Sequence, residues 1–190
     1  QVGYSMKGSD LIEGRVGDRP FRAARARVVR GNEPLLDGVL AVVGLDRPVD
    51  GHVVLAPYRG LESFGKLGKA AMVLEGDKSR GVPVPVTEAG LDRHFVAYAS
   101  DAKAAQACLT RDRCRRLVEL AERAPGRGLS VSFVGSQAFV ALPGNRWLRP
   151  SPWRDATGRA GFDADAAELA LLLDLPRLLG PADAKASATG

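Results

Sequence analysis

One stretch of this 190-residue chain combines glycine, serine and lysine at spacings that phosphate and acyl chemistry use. Gly60-Leu61-Glu62-Ser63-Phe64-Gly65-Lys66 fills the first seven positions of a phosphate-cradling loop and follows a β-like run at residues 53–56. The eighth position is Leu67, where Ser or Thr should hold magnesium. Glu62 also sets a carboxylate where phosphate oxygens would lie, and no clear helix follows to add its dipole. The expectation is a glycine-containing surface loop, with an enzyme of unrecognised type built on Gly60 and Lys66 as an alternative. Ser63 and Lys66 further match a serine-nucleophile, lysine-base pattern, but neither an S-D-N nor a K-T-G partner accompanies them. No catalytic residue is assigned.

His52 and His94 are the only histidines, and no Cys or His pair stands at metal-ligand spacing. Neither a metal nor a cofactor is expected. Cys108 and Cys114 are too few for a disulfide framework and lack C-x-x-C spacing, so both are read as reduced and packed. Cys114 lies beside Arg113, Arg115 and Arg116, but it also shares a helical stripe with Leu117, Val118 and Ala121. That makes it a small core residue before it is a nucleophile.

The net charge is +5 and the pI about 9.6, which raises anionic partners. Acidic residues offset the arginines in every segment except about residues 19–30. There Arg22, Arg25, Arg27 and Arg30 fall on both faces of a strand and form no single stripe. Arg111 and Arg115 share a helical face with Arg116 adjacent, a candidate surface for anionic lipid or nucleic acid. No interleaved aromatics accompany it, which argues against single-stranded nucleic acid. Trp147 and Trp153 flank Arg149-Pro150 and Ser151-Pro152. Exposed, they anchor a partner or a membrane interface; buried, they close one end of the core.

The elements that would position these residues read as α+β: an antiparallel β meander of hairpins packed with about three helices, in one domain over residues 1–180. Strands are expected at 10–16 and 21–29, with a turn at 17–20, and at 35–43 and 52–56, separated by a Pro/Gly turn at 46–51. A further strand is expected near 70–74. Pro83 and Pro85 confine 82–86 to a sheet edge or a linker, and 94–98 reads as a strand. Asp101 and Thr110 offer N-caps for helices over 102–109 and 111–124. Runs at 129–134 and 137–142 across Gly135-Ser136 read as a tight hairpin. After a Pro/Trp loop at 143–161, Asp163 caps a last helix through Ala166, Leu169, Leu172 and Leu173, with Pro176 near its end. Residues 181–190 are expected to be disordered. No run reaches the length of a membrane span.

In order along the chain, Ser9-Asp10-Leu11-Ile12-Glu13-Gly14-Arg15-Val16-Gly17, then Phe95-Val96-Ala97-Tyr98-Ala99-Ser100-Asp101, then Leu129-Ser130-Val131-Ser132-Phe133, Phe139-Val140-Ala141-Leu142 and the closing helix resemble the bacterial domain of unknown function 3137. The resemblance implies a membrane-tethered domain on the cytoplasmic side of the inner membrane, with the tether outside this chain, and a protein partner, LemA-type membrane proteins among the candidates. It carries over no activity and no catalytic residue. The chain departs from the family where a phenylalanine-rich stretch is reduced to Tyr58 and Phe64, and around Trp147 and Trp153. The expected function is a non-enzymatic binding or scaffold domain. A basic surface for anionic lipid is the alternative, and nucleic acid is the less favoured ligand.

Overall fold

Alternating apolar residues and short turns build a β-sheet first. In the computed structural model, which describes residues 4–57, 81–124, 128–144 and 159–180, three long strands follow one another. They are β1 (Tyr4–Val16), β2 (Arg19–Arg30) and β3 (Glu33–Pro57). Gly17 and Gly31 sit at the two reversals with positive φ, the conformation that tight hairpins need and other residues resist. β1 begins well before the expected Asp10. It carries a bulge between Ser9 and Ile12, where Asp10 takes φ 54°.

β4 (Val82–Val84) and β5 (Phe95–Ala99) complete one side, and β6 (Ser130–Pro143) lies on the other. The sheet order is β1-β2-β3-β5-β4, with β6 also paired to β3, and every pairing is antiparallel. The proline-bearing β4 sits at a sheet edge, where missing donors cost no ladder bond.

Two expected turns are absent. The segment at 46–51 does not reverse the chain, and the Gly135-Ser136 hairpin does not form. β3 runs straight through, pairing residues 38–44 with 137–143 and residues 52–55 with 131–134 of β6. Both strands are irregular at the same level, with register shifts on either side of Val49, opposite Gly135. The reason lies in the core. Val131 and Phe133 are buried, and so are Ala138, Val140 and Leu142. The buried positions change from odd to even across Gly135, and a bulge absorbs the change: eight residue steps of β3 from Gly44 to His52 face three steps of β6 from Gln137 to Val134. Gly135 takes φ 52° at that bulge.

Three α-helices cover this face: α1 (Ala102–Cys108), α2 (Arg111–Arg123) and α3 (Arg159–Leu179). A 3-10 turn over Glu88–Arg93 precedes β5. Asp101 caps α1 by accepting from the Ala104 amide at 2.8 Å, and Thr110 caps α2 through the Arg113 amide. α3 starts at Arg159, ahead of the expected Asp163, and continues through Pro176 to Leu179. Pro176 leaves one carbonyl without its helical donor, but the burial of Leu172, Leu175, Leu178 and Leu179 holds the last turn in place. Leu117 and Leu120 of α2 meet these leucines and Phe133 in one core.

A smaller cluster of Ala26, Leu36 and Ala141 lies apart from it. The expected strand near 70–74, the Gly60 to Lys66 loop, the tryptophan loop and the tail at 181–190 lie outside the described residues.

Candidate binding surfaces

The arginines at 19–30 look unbalanced in sequence, and the sheet balances most of them across strands. Arg19 pairs with Asp46 at 2.9 Å, Arg22 with Glu13 at 2.7 Å and Arg25 with Asp37 at 3.2 Å. Arg19 also donates to the Pro176 carbonyl at 2.7 Å, tying the start of β2 to the end of α3. The Arg19 hydrogen bond holds the Asp46 carboxyl below its ordinary range.

On α2, Arg111 and Arg115 are exposed and share one side, as the spacing requires, and Arg115 leans on Asp112 at 3.5 Å. Arg116 is half-buried, so it does not extend an open basic stripe. Arg113 turns inward. It precedes Leu117 by four residues and Leu120 by seven, which places it on the core stripe of α2. Its guanidinium carbon lies 5.3 Å from the centre of the Phe133 ring, and its Nη1 donates to the Cys108 carbonyl at 2.7 Å. That donation satisfies a carbonyl at the open end of α1.

The same guanidinium donates to the Cys108 sulfur at 3.4 Å, an arrangement that could support a thiolate. Burial outweighs it and pushes the Cys108 thiol up. Cys114 is pushed up to about 11, first by burial, then by Glu88 and Cys108, against the smaller pull of Arg113. Both thiols stay protonated at neutral pH and serve as small core residues. His52 is buried within β3, and its backbone N–H donates to the Ser100 hydroxyl. Among the described residues, no group of three His, Cys, Asp or Glu side chains could hold a metal ion. No helix among them is long and apolar enough to cross a membrane.

α2 and α3 are joined by an alternating charge network. Asp174 meets Arg123 at 2.7 Å and Arg177 at 3.4 Å, and Glu119 meets both arginines at 3.2 Å. Burial works against the charged form of Asp174, but the hydrogen bonds from Arg123 and Arg177 prevail and leave its carboxyl below its ordinary value. A carboxyl depressed in the folded state stabilises the fold fully above its ordinary value, near 4. The contribution fades as pH falls through the folded value. Asp174→Asn should therefore cost about 0.5–1 kcal/mol at neutral pH, as befits a partly exposed pair, and little at an acid pH that protonates the carboxyl in the folded chain. Urea melts of the chain and the variant at both pH values check this, and a pH-independent difference would refute it.

The outer side of α3 is the surface that sequence reasoning missed. Ala166, Leu169, Ala170 and Leu173 recur at helical spacing and are exposed, Leu169 by 42% and Leu173 by 45%. Leu171, Leu172, Leu175, Leu178 and Leu179 face the core. A helix apolar on both sides either lies fully inside a protein or presents one side to something else. The signal was present in the sequence as the unbroken apolar run at 169–173.

A family model described as "Protein of unknown function (DUF3137)" matches residues 35–179. No curated protein matches the chain. Among solved structures, the chain is similar to the mycobacterial trehalose monomycolate transport factor A, TtfA, at 14% identity and a TM-score of 0.38. That match covers 92% of this chain and 75% of that one.

Proposed function

The chain belongs to the DUF3137 family of proteins of unknown function, and on that footing we propose that it is a binding domain that docks a protein partner on the outer side of α3 and works at the cytoplasmic face of a membrane. The observation that carries the docking site is the exposed Ala166, Leu169, Ala170 and Leu173 stripe on a helix whose opposite side is already buried. Exposed leucines scattered singly are ordinary, but two leucines one helical turn apart, flanked by alanines, offer a continuous apolar seam. Small residues at 166 and 170 allow close approach of a second helix. Arg177 continues the stripe with a charge that can fix register. The membrane placement is supported by the basic balance of the chain.

The test is site-specific photo-crosslinking from position 173 of the protein in its own cells. One discrete protein adduct is expected, reduced at least tenfold by Ala170→Glu, a change to an exposed position that leaves the fold intact. No adduct, or a diffuse set insensitive to Ala170→Glu, would overturn the docking site.

A further inference from the structure

The outer stripe of α3 holds both the side chains that project and the spaces that would receive them. Read from its start it runs Ala166, Leu169, Ala170, Leu173, so small and large residues alternate, and all four are exposed. Reversing the helix exchanges the two sizes. In an antiparallel pair whose two-fold axis passes between residues 169 and 170, Leu169 of each chain faces Ala170 of the other, and Leu173 faces Ala166. Every leucine then meets an alanine, the large-against-small arrangement by which helices interdigitate at close approach. A parallel pair would set leucine against leucine and leave the alanine levels unfilled.

Charge follows the same symmetry. Arg177 is exposed at the end of the stripe, and in the antiparallel pair it comes within one residue of the level of Asp163 in the copy. Its bonds to Asp174 and Glu119 run from Nε and Nη2, and Nη1 takes no part in them. A guanidinium has five donors, so it has room for a further carboxylate. In parallel register Arg177 would face its own counterpart, like charge against like.

From this self-complementarity we infer that the occupant of the α3 stripe is a second copy of this chain, paired antiparallel through α3 about a two-fold axis. A two-fold interface uses the same patch on both partners, so one surface must supply both halves of the fit. An unrelated helix would have to carry the reversed leucine and alanine order and an acid at the matching level; this chain already carries both. The inference rests on the docking reading above and names its partner. Four side chains on one helix fall short of the roughly 800 Å² per partner of a stable complex, so the pair forms and parts readily.

The test is sedimentation equilibrium of the 190-residue chain between about 5 and 500 µM, the range in which a weak pair assembles. A reversible monomer–dimer equilibrium is expected. Ala170→Glu, which sets two carboxylates together beside the axis, should weaken it about tenfold or more. Ala167→Glu adds the same charge at an exposed position off the stripe and should change it by about twofold at most. Orientation is read from Ala166→Cys and Leu173→Cys, made in a chain whose own Cys108 and Cys114 are buried. In the antiparallel pair, position 166 is level with 173 of the copy, whereas the two 166 positions lie about 10 Å apart along the axis. Oxidation of the two variants mixed should therefore give several-fold more disulfide dimer than either variant alone. All four variants change exposed positions, so at low concentration their melts should match the parent's. A chain that stays monomeric throughout, association unchanged by Ala170→Glu, or disulfide dimers that form as readily from one variant alone would each overturn the proposal. A discrete adduct with another protein from position 173 in cells, beside a chain monomeric in solution, sinks the second copy and leaves the docking reading in place.

Discussion

Phe133→Ala is expected to destabilise the chain by about 3–5 kcal/mol, the range for emptying a fully buried aromatic site. Phe133 is completely inaccessible and lies on β6 in register with Val53 of β3, at the centre of the sheet face that the helices cover. The truncation does more than leave a cavity. The ring is the surface against which the Arg113 guanidinium lies, and Arg113 Nε is buried without a hydrogen-bond partner. With the ring gone, that guanidinium would lose its favourable contact while keeping its desolvation. Arg113→Ala alone should cost about 1–3 kcal/mol, because it also removes the donor to the Cys108 carbonyl at the end of α1. The two losses should not add. A double-mutant cycle by urea unfolding should return a coupling of about 0.5–1.5 kcal/mol. Additive losses would mean that the ring and the guanidinium are mere neighbours and that Arg113 is held by the α1 carbonyl alone.

The features that were legible in sequence are those whose causes are local. Asp101 and Thr110 could be assigned as caps because the amide each one satisfies lies three residues away. Pro83 and Pro85 narrowed residues 82–86 to a sheet edge or a linker, and the structure places β4 at the edge. The long strands were misread because their irregularities are set by a partner distant in sequence. Gly135-Ser136 satisfies the local chemistry of a hairpin, and only the pairing of both flanking halves with β3 turns it into a bulge. The irregular stretch around Val49 is its counterpart on the facing strand. The same limit applies to the surfaces. Arg113 was read only as a basic neighbour of Cys114, although it precedes Leu117 by four residues and Leu120 by seven. The apolar run at 169–173 could not reveal which leucines face the sheet until α2 was in place beside α3.

Gly38→Ala should cost about 3 kcal/mol or more, the upper range for forcing an extra atom into a filled site. Gly38 stands on β3 between Ala26 of β2 and Pro143 of β6. A Cβ there would overlap the Leu142 carbonyl oxygen and come within 2.9 Å of the Pro143 Cα and 3.0 Å of the Gly144 nitrogen. All three are backbone atoms, so no side chain can swing aside to relieve the contact. The strain must instead be released by moving the end of β6 away from β3, which also breaks the bond from the Gly144 N–H to the Asp37 carbonyl at 2.9 Å. Gly14→Ala is the matched control, since a Cβ there meets nothing within 4 Å. It should be neutral within about 0.5 kcal/mol, as for most surface changes. Amide hydrogen exchange should show lost protection at Gly144 in the Gly38 variant, with the Phe95–Ala99 strand unaffected.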